Sequence, residues 1–323
     1  MRSTHMAGHD ATFVRSESKL STKRTGTVTN TVVGAVVFVF AVSPAAGQIE
    51  RFNPPQQYYL ALGDSIAYGF QRPKFDGGLP ALAFNTGYVD VFAAYLQKIR
   101  PSLTVVNYGC PGETTRSFAT SQCGWPAVGE LHNTYVGTQL DAALAFLRSH
   151  PGQVSPITLT LWGNDVREFV LDCQGELLCL QRGVSRFIAE FRGRLGAILS
   201  ELRAAAPSAE IIITGSWDSF LDALEFADPM FAALNASMAE VAAAARVRFA
   251  DPFPIFNPQG NLDMEIQTIC PLTLLCTDID SHPSDAGYRA LAALVFDVSE
   301  YSRFFRGDDG LTEPPHTLDH RSP

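Results

Sequence analysis

Short apolar runs alternate along this chain with longer segments in which apolar residues recur every three or four positions. The short runs predict buried β-strands, and the longer segments predict amphipathic helices. Strands are predicted at Tyr58–Leu62, Leu103–Tyr108, Ile157–Trp162, Glu210–Thr214 and Val247–Ala250. Helices are predicted at Gly87–Arg100, Thr138–Arg148, about 184–205, Pro229–Ala245 and Ser284–Glu300, the last with Ser284 or Asp285 as its cap.

This alternation of strands and helices is typical of a parallel sheet that is covered by helices on both faces. We therefore predict one α/β domain with a five-stranded parallel sheet, over residues 48–306. Residues 307–323 are polar and contain two adjacent prolines, which predicts a flexible tail. In parallel sheets of this kind ligands bind beyond the carboxyl ends of the strands, so functional residues are expected just after strands.

The N-terminal residues 1–47 have the pattern of an export signal. Lys23 and Arg24 precede an apolar run, Val32–Val42, and the small residues of Pro44–Gly47 could serve for cleavage. The run is short for a membrane span, so no stable span is expected. An alternative start at Met6 and an uncleaved anchor both stay open, and the protein is predicted to be secreted.

Composition excludes several classes of protein. Hydrophobic residues make up 46% and charged residues 18% of the 323-residue chain, which is typical of a globular protein and not of a disordered one. The net charge of -9 comes without a basic stripe, so nucleic acid is not an expected partner. The sequence does not indicate an oligomeric state.

Six cysteines follow the export segment, and they form three pairs of near neighbours. An even number in an exported chain predicts disulfides, and the clustering favours 110–123, 173–179 and 270–276. The residues concerned are Cys110, Cys123, Cys173, Cys179, Cys270 and Cys276. Free buried thiols are the alternative; a zinc site is disfavoured because no C-x-x-C or histidine cluster accompanies the cysteines.

Four polar segments are candidates for chemistry. Three of them directly follow or end predicted strands, and the fourth precedes the last predicted helix. They are Gly63-Asp64-Ser65, Asn107-Tyr108-Gly109, Gly163-Asn164-Asp165 and Asp280-Ser281-His282-Pro283. Because the strands are predicted to be parallel, these segments are expected to converge on one edge of the sheet.

The residue types in these segments point to acyl transfer. A serine hydroxyl is a poor nucleophile unless a base takes its proton, so Ser65 needs a histidine. His316 and His320 lie in the tail, and His150 lies at a helix end, where a capping or solvent-exposed role explains it. His132, in a loop, stays an alternative, and His282, in a polar turn, is the preferred base by elimination. The N–H of Ser65, the N–H of Gly109 and the amide of Asn164 are suitable donors to an oxyanion.

The four segments together resemble the sequence blocks of the GDSL family of esterases and lipases, also called SGNH hydrolases, over about residues 56–300. The resemblance implies a flavodoxin-like three-layer α/β/α fold and ester hydrolysis without a cofactor or metal. It also implies an oxyanion hole made by Ser65, Gly109 and Asn164. Asp64 and Asp165 are expected to cap or brace the site rather than react.

One position departs from the family pattern, in which an aspartate usually stands three residues before the histidine. Here that position is Ile279, with Asp280 two residues and Asp278 four residues before His282. We predict that Asp280 orients the imidazole. Asp278 and a backbone carbonyl are the alternatives.

The loops 110–136, 166–182 and 253–281 each lie beside one of the blocks and are expected to determine substrate preference. Aromatic and leucine side chains there could line an acyl pocket or belong to the core: Phe118, Trp125, Phe169, Leu177, Leu178, Leu274 and Leu275.

The prediction is a secreted hydrolase of small-molecule or lipid carboxylic esters. A carbohydrate deacetylase, a phospholipase and a non-catalytic binding protein on the same fold are the alternatives. The α/β-hydrolase fold is disfavoured because the chain has no G-x-S-x-G motif.

Overall fold

A sheet of five parallel strands lies at the centre of the protein, in a computed structural model that describes residues 52–220, 227–258, 262–299 and 301–305. The strands are β1 (Tyr58–Gly63), β2 (Thr104–Asn107), β3 (Val154–Thr160), β4 (Ile211–Thr214) and β5 (Arg248–Ala250). They are ordered β2-β1-β3-β4-β5, and every neighbouring pair is parallel. This is the flavodoxin-like strand order, so the predicted fold is confirmed.

Helices connect the strands. They are α1 (Ser65–Tyr68), α2 (Arg72–Asp76), α3 (Tyr88–Ile99), α4 (Ser117–Thr120), α5 (Gln139–Ser149), α6 (Gly163–Asp172), α7 (Leu177–Ala205), α8 (Ala227–Ala244), α9 (Phe253–Phe256), α10 (Leu262–Leu272), α11 (Leu275–Asp278) and α12 (Asp285–Val298). A short antiparallel ribbon, β6 (Thr273–Leu274) with β7 (Asp280–Pro283), precedes α12. In the described part of the chain, short 3₁₀ helices lie at Ala81–Phe84, Trp125–Ala127 and Tyr301–Phe305.

The core occupies both faces of the sheet. Every residue of β3 is buried, as expected for a central strand with helices above and below it. Helix α3 packs against α12, and α7 packs against α5 and α8. Among the described residues no helix is both long and apolar enough to cross a membrane. The predicted export segment and tail, and Glu300 at the predicted end of α12, lie outside the described residues.

All three stretches that the sequence analysis treated as loops contain helices, and the first, 110–136, contains the short α4. Helix α6 begins immediately at Gly163, and α7 begins at Leu177, earlier than the predicted start near 184. The stretch 253–281 contains α10, which continues through Pro271. Their helical periodicity is short or interrupted by cysteine and proline, so local pattern alone did not reveal them.

The strand order also identifies where a ligand is expected. The strand order reverses between β1 and β3. Ser65 comes shortly after β1 along the chain, and Asn164 comes shortly after β3. In open parallel sheets the crevice at such a reversal is the usual binding site, because the connections leave in opposite directions there. His282 reaches the same edge by another route, since it lies in β7 and not directly after a strand of the main sheet.

Candidate active site

Ser65 is the first residue of α1 and sits on a sharp turn from β1. Asp64 caps the helix, because its Oδ1 accepts the N–H of Ile66 at 2.9 Å. Gly63 has φ of 126°, and a Cβ there would meet the carbonyl oxygen of Thr160 at 2.1 Å. Only glycine allows β1 to approach β3 so closely at the point where the chain turns. The turn therefore fixes Ser65 at the carboxyl end of the sheet.

His282 and Asp280 complete a chain of hydrogen bonds that begins at Ser65. The His282 Nε2 lies 2.8 Å from the Ser65 Oγ, and its Nδ1 lies 2.5 Å from Oδ1 of Asp280. The other carboxylate oxygen of Asp280 accepts the backbone N–H of Arg72 at 3.0 Å. The ring of Phe70 packs against the imidazole at a centroid distance of 4.7 Å. The imidazole is thus held from two sides and aimed at the serine.

The surroundings of Asp280 lower the pKa of its carboxyl, which suits a group that pairs with a cation. Burial by itself would raise the pKa of this carboxyl, but the hydrogen bond and charge of His282, together with the N–H of Arg72, outweigh burial and lower it. Asp280 is therefore ionised at neutral pH. Asp278 is exposed and accepts a hydrogen bond from Thr277 Oγ1 at 2.6 Å, whereas the imidazole bonds Asp280.

The other histidines named from the sequence lie elsewhere. His132 Nε2 bonds the carbonyl oxygen of Tyr68 at 2.8 Å, and His150 Nδ1 bonds the carbonyl oxygen of Phe146 at 3.0 Å at the end of α5. Each of these imidazoles hydrogen-bonds a backbone carbonyl group, and neither is placed to accept a proton from Ser65.

Asn164 lies in the first turn of α6 and lines the same cavity as Ser65 and His282. One of its amide hydrogens goes to the carbonyl oxygen of Glu113, because Nδ2 lies 3.0 Å from that atom. The amide has a second hydrogen available for a ligand. The same bond ties Asn164 to the loop after β2.

The structure contradicts the prediction that Gly109 supplies an oxyanion donor. Its N–H donates to Oδ1 of Asn107 at 2.8 Å, and a Cβ at Gly109 would meet the backbone nitrogen of Tyr68 at 2.7 Å. The glycine is needed for close packing of the backbone against α1. Its donor is used internally and is not free for a substrate.

Gly112, three residues further along the same loop, has the properties that Gly109 lacks. It is exposed, has φ of 92° and would have open space around a Cβ. Among the described residues its N–H has no hydrogen-bond acceptor, and the same holds for the N–H of Ser65. The sequence signal was the second glycine of Gly109-Cys110-Pro111-Gly112, which the sequence analysis did not use.

A buried polar network braces the loop that carries Gly112. Both carboxylate oxygens of Asp165 accept hydrogen bonds from Thr115, from its N–H at 2.8 Å and from its Oγ1 at 2.5 Å. Arg194 of α7 contacts both residues. Its Nε donates to Thr115 Oγ1 at 2.8 Å, and its Nη2 donates to Asp165 Oδ1 at 3.3 Å. Asp165 therefore braces the loop, as the sequence analysis expected.

A second part of the network lies beneath Ser65. The Gln139 amide exchanges hydrogen bonds with the N–H and carbonyl of Gly63 at 2.6 and 2.9 Å and donates to Glu113 at 3.2 Å. Burial, with nearby carboxylates adding to it, raises the pKa of Asp64 to about 8. Burial also raises the pKa of Glu113 to about 7, against the hydrogen bonds from Ser117 and Gln139.

A cavity of about 370 Å³ opens beside Ser65, Asn164 and His282. Its inner wall is mainly apolar and comprises Ile66, Trp162, Val166, Val170, Trp217, Phe220 and Phe231. Trp162 stands edge-on to Trp217 at a centroid distance of 4.7 Å, and Phe231 packs edge-on to Trp162 at 6.1 Å. These aromatic residues were missed in the sequence analysis, since the aromatic wall comes from three distant segments.

Of the seven acyl-pocket candidates, Leu275 lines this cavity. Phe118 is fully buried in the core, Phe169 stacks on Phe187, and Trp125 lines a different cavity with Tyr68. Leu177 and Leu178 are exposed at the start of α7, and Leu274 is half-buried in β6.

The three neighbouring cysteine pairs, 110–123, 173–179 and 270–276, are disulfide-bonded, with Cα separations of 6.1, 5.5 and 5.3 Å. Each bond closes a loop next to a segment of the site. Within the described part of the chain, no group of three or more His, Cys, Asp or Glu side chains is placed to hold a metal ion.

Comparison with known proteins places this geometry in a family. The family model of the GDSL-like lipase/acylhydrolase family matches residues 61–290. A search of curated protein sequences finds no match.

Solved structures with a similar fold include three hydrolases. A candidate GDSL-like lipase from Parabacteroides merdae has a TM-score of 0.50 and 16% identity, covering 78% of this chain and 99% of that one. An extracellular lipase from Streptomyces rimosus has a TM-score of 0.48 and 19% identity, covering 74% and 99%. An acetylxylan esterase from Geobacillus stearothermophilus has a TM-score of 0.46 and 21% identity, covering 76% and 94%. On the match over residues 61–290, this chain belongs to the GDSL-like lipase/acylhydrolase family.

Proposed function

We propose that this protein is a secreted serine hydrolase of carboxylic esters that works through an acyl-enzyme. The observation that carries the proposal is the unbroken hydrogen-bond chain from Ser65 Oγ through His282 to Asp280. This is the arrangement in which a weak hydroxyl nucleophile becomes reactive, because the base is within reach and is itself oriented by a third group.

In the first half of the reaction, Ser65 Oγ attacks the ester carbonyl carbon while His282 Nε2 takes the hydroxyl proton. Asp280 holds the Nδ1–H, so the tautomer with a free Nε2 is favoured and the imidazolium is stabilised as it forms. His282 then gives its proton to the leaving alcohol oxygen as the C–O bond breaks. Ser65 is left as an acyl ester.

In the second half, water enters the site. The water oxygen attacks the acyl carbon while His282 takes a proton from the water. His282 then returns that proton to Ser65 Oγ as the bond between Oγ and the acyl carbon breaks and the acid leaves. Each half passes through a tetrahedral intermediate with a negative oxygen.

Three donors are proposed to stabilise this oxyanion: the N–H of Ser65, the N–H of Gly112 and the free amide hydrogen of Asn164. Fixed donors of this kind act on charge that develops only in the transition state. The bond from Asn164 to Glu113 supports the assignment, because it keeps the loop of Gly112 and the first turn of α6 together.

Secretion is the second part of the proposal. Three disulfides support it, since such bonds persist in oxidising compartments. The export pattern of residues 1–47 agrees with it. We propose 48–306 as the catalytic domain and 307–323 as a tail. A carbohydrate deacetylase and a phospholipase would use the same residues, and a profile across ester substrates separates them.

The test is covalent labelling together with hydrolysis of p-nitrophenyl butyrate. The wild type should be labelled at Ser65 by a fluorophosphonate, and Ser65→Ala should lose both labelling and at least about 10³-fold in kcat/KM. Ser121→Ala, at an exposed serine of the same domain, is the control and should keep both. An unlabelled but folded wild type would contradict the proposal and favour a binding protein.

A further inference from the structure

The mouth of the active-site cavity is edged by apolar side chains that are exposed to solvent. Leu171, Leu275 and Ile279 line the cavity together with Ser65 and His282, and we call these three residues the apolar rim. Leu171 is 56% exposed and Ile279 is 87% exposed, while Leu275 is half-buried. Single exposed apolar residues are common, but a group at the mouth of an apolar cavity forms a continuous surface.

Ile279 is presented outward at a cost to the backbone. It has φ of 52° and ψ of 42°, the left-handed region, where a β-branched residue is an outlier. Such strain persists when the surrounding fold determines it, and it concentrates at functional sites. Glycine or asparagine would adopt this conformation more easily, yet the chain places a large apolar side chain there, one residue before Asp280.

Both sides of the rim are cross-linked. Leu171 lies at the end of α6, which the bond Cys173–Cys179 joins to the start of α7, where Leu177 and Leu178 are 43% and 64% exposed. The bond Cys270–Cys276 joins α10 to α11, next to Ile279. Leu177, Leu178 and Leu275 thus lie within short closed loops, and Leu171 and Ile279 lie within three residues of a bonded cysteine. Restricting these segments lowers the conformational entropy that they lose on contact with a surface.

We propose that the apolar rim docks on the surface of an aggregated, uncharged ester, such as a droplet of neutral lipid. The proposal rests on the ester hydrolase function given above. The rim continues inward into the apolar wall of Val166, Val170 and Phe231, so an acyl chain could pass from the aggregate to Ser65 without crossing water. A small dissolved ester would use only the inner part of this path.

The charged side chains beside the apolar rim determine which kind of surface it can dock on. The exposed carboxylates of Asp172, Glu176 and Asp278 lie next to the exposed apolar residues and outnumber Arg167, the cationic side chain that lines the cavity. The chain as a whole carries -9. An anionic phospholipid membrane would be repelled at this face, whereas the surface of a neutral ester would not.

The first arm of the test measures binding without catalysis. Ser65→Ala protein is mixed with a trioctanoin emulsion free of ionic surfactant, the droplets are floated by centrifugation, and the protein left in the water is measured. Adding Leu171→Gln and Ile279→Asn should weaken the partition by at least about tenfold, given the area these side chains would bury. Val136→Asn is the matched control, because Val136 is 89% exposed and lies outside the cavity, and it should leave the partition unchanged.

The second arm uses the active enzyme and compares hydrolysis of the emulsion with hydrolysis of dissolved p-nitrophenyl acetate. The ratio of the two rates should fall by at least about tenfold in the Leu171→Gln, Ile279→Asn variant, for the same reason. Because asparagine tolerates the left-handed conformation, Ile279→Asn should not lower the melting temperature. A loss of activity through unfolding is therefore recognisable.

Three outcomes would overturn the proposal. They are an unchanged partition in the double variant, binding of Ser65→Ala protein to anionic phosphatidylglycerol vesicles as strongly as to the emulsion, and a dimer in sedimentation analysis that the double variant abolishes. Failure of the proposed function is separate from these outcomes. It would appear as hydrolysis by Ser65→Ala protein, or as an inactive folded wild type, whatever the partition shows.

Discussion

At the scale of single residues, the site depends on which of two nearby carboxylates faces His282. Asp280 is 6% exposed and bonds the imidazole Nδ1, while Asp278 is exposed and bonds Thr277. The backbone between them turns through Ile279, which has a left-handed conformation. Two residues so near in sequence thus have different electrostatic environments.

Replacing these two aspartates separately tests the proposed role of Asp280. We expect Asp280→Asn to lower kcat by up to about 10⁴-fold, since an amide would favour the wrong tautomer of His282. Asp278→Asn is the matched control and should change kcat by less than about twofold, because an exposed carboxylate contributes little. Steady-state kinetics on p-nitrophenyl butyrate measures both. The reverse order of effects would assign the orienting role to Asp278.

At the scale of elements, the site is assembled by three connections that meet at the reversal of strand order. The turn from β1 to α1 carries Ser65, the turn from β3 to α6 carries Asn164, and the loop after β2 carries Gly112. The loop has little regular structure of its own, so its position depends on Thr115, which bonds Asp165 and Arg194. We propose that this contact holds the loop in place and so keeps the three proposed oxyanion donors aligned.

Removing the Thr115 hydroxyl tests this proposal. Thr115→Val keeps the size of the side chain and the backbone N–H bond to Asp165 but loses the hydroxyl's bonds to Asp165 and Arg194. We therefore expect kcat to fall by up to about 100-fold with a smaller change in KM. Thr120→Val, which removes an exposed hydroxyl of the neighbouring helix α4, should leave both constants unchanged. If Thr115→Val only lowers the melting temperature and kcat stays the same, the contact supports folding and not catalysis.

At the scale of the whole molecule, several buried carboxyl groups hold protons more tightly than in the unfolded chain. Burial raises the pKa of Asp64 to about 8, of Glu113 and Asp218 to about 7, and of Asp90 to about 6. Unfolded carboxyls ionise near pH 4, so between about pH 4 and 8 the folded state binds more protons than the unfolded state. Stability contributed by these groups is present at low pH and is lost as pH rises. Asp280, with a lowered pKa, acts in the opposite direction, but below about pH 4.

The melting temperature is therefore expected to fall as pH rises from 5 to 8. Glu113→Gln should make this fall shallower, because the amide keeps the hydrogen-bonding shape without ionising. Glu168→Gln, at an exposed position of α6, is the control and should leave the slope as in the wild type. Differential scanning calorimetry across this range gives the slopes. A melting temperature that rises steadily from pH 5 to 8 would contradict the assignment of these groups.

The local sequence pattern was sufficient to predict the strands of the sheet and to select single residues as candidates for chemistry. Each of the five strands overlaps its predicted run, because buried parallel strands are short apolar segments that are visible without their neighbours. Ser65 and Asn164 come shortly after such strands in the sequence, so their place at the end of the sheet could be predicted without the structure. The cysteine pairs are neighbours in sequence as well as in space, so their bonding could be predicted in the same way.

The tertiary structure alone decided which polar groups are free and which are used. The sequence analysis named Gly109 as a donor, but in the folded chain the N–H of Gly109 is taken by the side chain of Asn107. The aromatic wall of the cavity joins Trp162, Trp217 and Phe231, which are far apart along the chain. Periodicity and motif spacing report a residue's local conformation, whereas hydrogen-bond satisfaction and cavity shape depend on contacts between distant segments. For this protein, the fold, the proposed chemistry and the preference for Asp280 therefore follow from the sequence. The proposed oxyanion donor Gly112, the cavity wall and the apolar rim follow from the packing of its loops.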